Sequence, residues 1–377
     1  MRVAGRRCGR LPLSDHADSA RRLIVGSVSL RDFRSYARLE LELEPGLVLV
    51  VGANGAGKTN LLESLHVGSQ GFSPRTRTDA ALIRFGSELA RIRLSGNRAG
   101  APLELRVELR AGEGKRATLN GAALQSAERL RSEVSALVFT PDRLVLVKGG
   151  PAARRAYVDR ALGRATPGRA ALPSEYGAAL AQRNASLRSV SAGFGSHEAL
   201  EPWTERVAGL GDALVEARTE LVSLLEPAFV ECAAELGLAS ASLRYEGEPP
   251  TLAALQARLE RDLDRGSTGI GPHLDDVSIA AGGRDLRTFG SQGEQRLAVL
   301  ALLLAEADFV HERRGVPPLL LLDDVLSELD PGRRRVLVER LRSFGQALIT
   351  ATTAAALPAE PEQLLQVEAT SAGTVVR

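Results

Sequence analysis

The sequence predicts an α/β fold split by a mainly helical insertion, on three observations. Apolar residues 47–51 run into a glycine-rich turn and a helix-like segment from Asn60. A second apolar run, Leu319 to Leu322, ends in Asp323-Asp324. Between them, from about Gly150 to Gly266, the composition shifts to Ala, Leu, Arg and Glu with apolar residues at helical spacing.

Composition sets the frame. A chain of 377 residues, 44% hydrophobic and 25% charged, has room for two or three structural units and a sizeable core. The longest apolar candidate, residues 297–305, falls well short of the roughly 18 residues that span a bilayer. Cys8 and Cys232 are too few and too far apart for a disulfide framework or a metal cluster, so a reducing cytoplasm is the simplest setting. The 48 basic residues include only three lysines, Lys58, Lys115 and Lys148, and the net charge is +2. No whole-molecule field therefore argues for nucleic acid or membrane. Charge is uneven all the same. Residues 151–200 carry seven arginines against three acids, and residues 201–265 carry six against thirteen.

In chain order, residues 1–22 are arginine-rich without apolar periodicity, and read as a tail or a mis-assigned start. Residues 23–30 and 37–43 alternate as strands around a turn at Asp32-Phe33-Arg34-Ser35-Tyr36. Further strands are expected at 89–94, 103–110 and 134–139. Prolines 167, 173, 202 and 227 break the helical insertion over 151–265, and an α/β segment over 266–377 follows it. His66 and His273 are read as structural.

Gly52-Ala53-Asn54-Gly55-Ala56-Gly57-Lys58-Thr59 has the GxxxxGK[ST] form of a phosphate-binding loop. The glycines let the backbone curl its N–H groups toward an anion. Lys58 adds a charge for the β- and γ-phosphates, and the Thr59 hydroxyl is a ligand for Mg²⁺. With so few lysines, about 0.003 copies of the pattern are expected by chance. The chain is therefore expected to bind a nucleoside triphosphate.

The acids after Leu319–Leu322 fit the same chemistry, because a buried parallel strand presents its ligands at its C-terminal end. Asp323 suits Mg²⁺ coordination, and Asp324 suits orienting or deprotonating the attacking water. Capping of the following helix is the structural alternative. Upstream, Ser291-Gln292-Gly293-Glu294-Gln295 introduces an apolar helix over 297–307, a second anion-favouring helix start. Ser327-Glu328-Leu329-Asp330 follows the acids. Together these segments describe an ABC-type ATPase head. In such heads the signature serine of one subunit caps the γ-phosphate held by the other.

The chain resembles the RecF family of recombination mediators, relatives of the Rad50 and SMC heads, from about Leu23 to the C-terminus. Leu30-Arg31-Asp32-Phe33-Arg34-Ser35-Tyr36 is similar to the family's opening block, and residues 52–63 to its phosphate loop. Phe139-Thr140-Pro141-Asp142, Arg154-Arg155-Ala156-Tyr157-Val158-Asp159, Gln182-Arg183-Asn184-Ala185, Gly271-Pro272-His273 with Asp275-Asp276, and residues 322–330 continue the match. Leu274 stands where the family usually has a basic residue. Thr140 stands near the glutamine sensor of related ATPases, and Ile349-Thr350-Ala351-Thr352-Thr353 replaces the histidine switch.

The resemblance implies an ABC-type (Rad50/SMC-like) head with an inserted helical arm and no long coiled coil. It implies a DNA repair and replication ATPase that binds ATP and Mg²⁺ and forms an ATP-dependent homodimer on double-stranded DNA or gap junctions. RecO, RecR and RecA are the implied partners, with no membrane. Gly52, Asn54, Gly55, Gly57, Lys58, Thr59, Asn60, Arg34, Ser291, Gln292 and Gly293 are the implied nucleotide contacts. Lys58 and Asp324 are the implied catalytic residues, and Thr59 and Asp323 the implied metal ligands. Three competitors fit less well. A transporter subunit places its signature much closer to the loop than the 239 positions separating Gly52 from Ser291. A coiled-coil organiser needs hundreds of heptad residues. A small-molecule enzyme needs a second polar site that is not seen.

Overall fold

The computed structural model describes residues 23–125, 129–370 and 373–377. The tail read at 1–22, with Cys8, lies outside them. In chain order, β1 (Leu23–Phe33), β2 (Tyr36–Glu42) and β3 (Gly46–Val51) lead into α1 (Lys58–Gln70). Then come β4 (Leu89–Arg98), β5 (Ala101–Arg110), β6 (Arg116–Leu119), β7 (Ala122–Ala123), α2 (Leu130–Glu133) and β8 (Ala136–Phe139). Helices α3 (Val145–Lys148), α4 (Pro151–Ala165), α5 (Leu172–Ser191) and α6 (Glu201–Glu235) are followed by β9 (Ala241–Glu246), α7 (Leu252–Ala257) and α8 (Leu259–Arg265). After β10 (Asp276–Ala281), β11 (Arg284–Asp285) and α9 (Leu286–Phe289) comes the long α10 (Gln292–Arg314). The chain ends with β12 (Leu319–Leu322), α11 (Pro331–Arg342), β13 (Gln346–Ala351), β14 (Gln363–Thr370) and β15 (Gly373–Val376).

Contacts divide the chain into two compact units. One contains the residues up to Thr140 and Arg314–Arg377; the other is Pro141–Arg313. The first unit holds two six-stranded sheets. One is antiparallel, in the order β2-β1-β4-β5-β6-β7. The other has the order β15-β14-β3-β13-β12-β8, with β14, β3, β13, β12 and β8 mutually parallel and β15 antiparallel at the edge. The parallel strands explain the uninterrupted apolar runs. Leu47 to Val50 and Leu319 to Leu322 are all at or below 1% exposure, because both faces of that sheet are covered. In the antiparallel sheet the pattern alternates instead. Ile92, Leu94, Leu105 and Val107 point inward and Arg91, Arg93 and Arg106 outward.

The second unit packs α4, α5 and α6 with a three-stranded sheet, β11-β10-β9. The helical arm expected over 151–265 lies within it. The unit extends further at both ends because β10 pairs with β9 and α3 packs on α9. Two local expectations are corrected. Residues 241–246 are a strand rather than helix, since Ala241 and Leu243 bury one face against α6 while alternate residues face outward. Pro227 does not end a helix: α6 runs 35 residues straight through it. An interior proline costs about 3 kcal/mol. Burial of Leu221, Val222, Leu225, Phe229 and Cys232 on one flank offsets it. Pro173 and Pro202, by contrast, lie in the first turns of α5 and α6, where no N–H is missed. Among the described residues no helix is long and apolar enough to cross a membrane.

Candidate nucleotide site

The loop between β3 and α1 is built by close approach. A Cβ on Gly52 would fall 2.2 Å from the Val367 carbonyl oxygen, so only glycine fits. Gly57, the residue before α1, has φ 114° and would place a Cβ 2.8 Å from the Thr374 side chain. Tyr36, buried below the loop, donates its hydroxyl to the Gly57 carbonyl at 3.1 Å. Ala53, Asn54 and Gly55 at the loop crest are exposed. The first turn of α1 carries no acid, which leaves the positive end of its dipole for an anion.

Lys58 opens α1 and bends its ammonium back over the loop, donating to the Gly52 and Ala53 carbonyls at 2.7 and 2.9 Å. Burial lowers its pKa below the ordinary lysine value, while the charges of Asp324 and Asp323 act in the opposite direction. Thr59 Oγ1 lies 3.0 and 2.9 Å from the two carboxylate oxygens of Asp323. Hydroxyl and carboxylate thus converge from α1 and the end of β12. Among the described residues, this convergence is what a hard divalent cation beside phosphates requires.

Thr350, fully buried on β13, joins this group. Its hydroxyl donates to Asp323 Oδ1 at 2.7 Å and accepts the Asp324 backbone N–H at 2.8 Å. Asp324 itself has φ 51°, a left-handed conformation that costs free energy in a non-glycine residue. Its side chain caps nothing, although a short 3₁₀ turn begins right after it. The capping alternative is realised six residues on instead, where Asp330 accepts the Arg333 N–H at the start of α11.

The segment expected to act as the signature lies in the second unit. Ser291, Gln292 and Gly293 are exposed at the start of α10. Ser291 and Glu294 form a reciprocal capping box: Ser291 N–H donates to Glu294 Oε2 at 2.8 Å, and Glu294 N–H donates to Ser291 Oγ at 3.2 Å. These bonds hold the Glu294 carboxyl below the usual range. The Ser291 hydroxyl hydrogen takes no part in the box.

Arg34 and Asn60 face protein groups. Arg34 makes a bidentate pair with buried Glu63, both bonds 2.9 Å, and donates to the Ala81 carbonyl. Asn60 donates to Ser35 Oγ at 3.0 Å and accepts from Arg75 at 3.2 Å. Thr140 is buried just after β8, and Thr352 is exposed. His66 and His273 also have protein partners. His66 Nδ1 lies 3.0 Å from the Phe72 carbonyl. His273 Nε2 donates to the Thr268 carbonyl at 3.0 Å, so Nδ1 accepts the Tyr176 hydroxyl at 2.7 Å.

Phosphate loop, paired aspartates at a parallel strand end and capped signature helix define an ABC-type ATPase head of the SMC and Rad50 kind. Comparison with known proteins agrees. The RecF/RecN/SMC N terminal domain family matches residues 24–375. The DNA replication and repair protein RecF of Heliobacterium modesticaldum is 36% identical over 354 residues, spanning 90% of this chain and 95% of that protein. Its counterpart in Anaeromyxobacter dehalogenans (strain 2CP-C) is 39% identical over 346 residues, 86% and 91% of the two chains. A solved structure of the recombination mediator protein RecF-ATP in the RecFOR pathway superposes with TM-score 0.83 at 27% identity, over 93% and 96% of the chains. An Smc head bound to the C-winged helix domain of ScpA shares the fold at TM-score 0.58 and 16% identity, over 93% and 96% of the chains. The chain belongs to the RecF family.

Proposed function

We propose that this protein is a cytoplasmic DNA-repair and replication ATPase, in which bound ATP joins two copies on double-stranded DNA or at a gap junction. The observation that carries the reading is the convergence of Thr59 and Asp323 beside Lys58, with Asp324 held next to them by Thr350. Lys58 and the loop amides hold the triphosphate, and Thr59 and Asp323 hold Mg²⁺. Mg²⁺, when bound, neutralises phosphate charge and orients the terminal phosphate. Asp324 positions the attacking water and accepts its proton. Ser291, Gln292 and Gly293 of a second copy complete the site. The exposed, capped serine supports that role, because its hydroxyl hydrogen is left for an acceptor on another molecule. Arg34 and Asn60 act behind the loop, holding the first two turns of α1 through Glu63 and Ser35.

The RecFOR pathway named for the solved neighbours supports RecO and RecR as partners. RecA as a further partner, and hydrolysis as the step that resets the pair, follow from the family resemblance alone. The arm over 151–265 interrupts the two ATPase lobes at 23–150 and 266–377 in this reading. Size exclusion with light scattering, with and without ATP and gapped duplex, tests it. The mass of two copies is expected with ATP. Ser291→Arg should bind nucleotide yet remain at the mass of one copy. A Ser291→Arg protein that pairs normally with ATP would remove the shared-site reading.

A further inference from the structure

The C-terminal hairpin meets the phosphate loop near both of its ends. Strand β14 lies parallel to β3, the strand that delivers the loop, and its Val367 carbonyl closes over Gly52. Strand β15 returns antiparallel to β14 and brings Thr374 against Gly57, the residue before α1.

Thr374 is buried, and its donors converge on Ser35 in the turn between β1 and β2. Its backbone N–H donates to the Ser35 carbonyl at 3.1 Å, and its hydroxyl donates to Ser35 Oγ at 2.8 Å. Arg84 holds the same carbonyl from another side, also at 3.1 Å. Ser35 Oγ accepts a second bond, from the side-chain amide of Asn60 at 3.0 Å. Asn60 belongs to the first turn of α1 and directly follows Lys58 and Thr59. A relay of three side chains therefore runs from β15, through the turn, to the part of α1 that carries the phosphate chemistry.

That part of the chain needs an outside restraint. Gly57 has φ 114° and no side chain, so nothing of its own limits rotation of the backbone just before Lys58. Thr374 supplies the limit twice over. Its Cγ2 and Oγ1 fill the space in which a Cβ on Gly57 would lie, both 2.8 Å from it. Its hydroxyl then ties that packing, by way of Ser35, to Asn60. An apolar side chain of the same shape would do the first and not the second. We infer that Thr374 is a positioning residue of the nucleotide site: through Ser35 and Asn60 it fixes the first turn of α1 in the orientation that receives the phosphates. The inference rests on the ATP reading given above.

A double-mutant cycle in the full chain tests it, with ATP affinity measured by titration calorimetry and the melting temperature of the nucleotide-free protein measured beside it. Thr374→Val keeps a strand-favouring shape and removes the hydroxyl. It should weaken ATP binding about three- to tenfold, the range of one net hydrogen bond. Thr374→Ser should restore most of that affinity. Ser35→Ala removes the middle of the relay and should show the same loss; half-buried in a turn, it carries the test if Thr374→Val does not fold. In Thr374→Val/Ser35→Ala the two losses should not multiply, because both substitutions break one path. Losses that multiply overturn the assignment. So does wild-type ATP affinity in either single variant with a lowered melting temperature, which would make the pair a brace between strands and no more. A wild type that binds no ATP overturns the nucleotide reading, and the assignment with it.

Discussion

Thr350 Oγ1 donates to Asp323 Oδ1 at 2.7 Å, and the same oxygen accepts the backbone N–H of Asp324 at 2.8 Å. One hydroxyl thereby fixes the carboxylate proposed to hold the metal and the strained backbone of the residue proposed to position water. Thr350→Val keeps the shape and removes the hydrogen bonds. A hydrogen bond to a charged group contributes about 1.5–3 kcal/mol, so ATP turnover should fall roughly 10- to 100-fold. The Mg²⁺ concentration needed for tight ATP binding should rise as well, and Thr350→Ser should restore both. Unchanged Mg²⁺ dependence in Thr350→Val would show that the hydroxyl only fills space.

Gly52→Ala tests the loop's close approach. The new methyl would meet the Val367 carbonyl oxygen at 2.2 Å, so the loop or β14 must shift. Overpacking of this kind costs about 1–3 kcal/mol, and equilibrium unfolding should show a loss in that range. Affinity for ATP should fall with it, whereas Gly55→Ala, where a Cβ meets nothing within 4 Å, should lose less despite its φ of 79°.

Arg183 and Asp262 form an ion pair with side-chain exposures of 0% and 1%. Thr204 and Thr268 take further Arg183 donors, at 3.2 and 2.6 Å. Arg183→Leu leaves a buried carboxylate without its partner and should cost about 3–5 kcal/mol of stability in denaturant melts. Removing both charges, in Arg183→Leu/Asp262→Leu, should recover a large part of that loss. A double variant as unstable as the single one would contradict this assignment of the cost.

His273 gives the fold a specific acid sensitivity. Burial lowers its pKa, outweighing the hydrogen bond to the Thr268 carbonyl, which acts the other way. The unfolded chain therefore takes up this proton first, near the ordinary value of about 6.5. The contribution to stability is present above about pH 6.5 and is lost as pH falls through the lower folded-state value. Between about pH 7 and pH 5 the melting temperature of wild type should fall more than that of His273→Gln.

Much of this was legible locally, and what was not depends on register. The phosphate loop, the apolar strand ending in Asp323-Asp324, and Ser291 all carry their chemistry within a few neighbouring residues. Thr350 does not. Its role arises because Leu322 and Ile349 are paired across β12 and β13, which sets Thr350 beside the first aspartate. A threonine in a buried strand gives no such signal alone. Arg34 sits inside a recognisable block, yet its bidentate partner Glu63 lies 29 positions away on α1. Pro227 misleads for the opposite reason: a strong local breaker is overridden by the buried flank of α6. The arginines of 151–200 show the limit of counting charge, since six of the seven are bound within their own unit.

The proposed shared site can be read out by mixing two inactive variants. Lys58→Ala disables the loop of its own copy, and Ser291→Ala disables the site of its neighbour. Neither should hydrolyse ATP appreciably alone. In a random mixture half the pairs combine the two, and each mixed pair has one intact site. Turnover should therefore return to about a quarter of the wild-type rate if the site is built across a two-fold pair. A mixture no more active than its components would contradict a site shared between two copies.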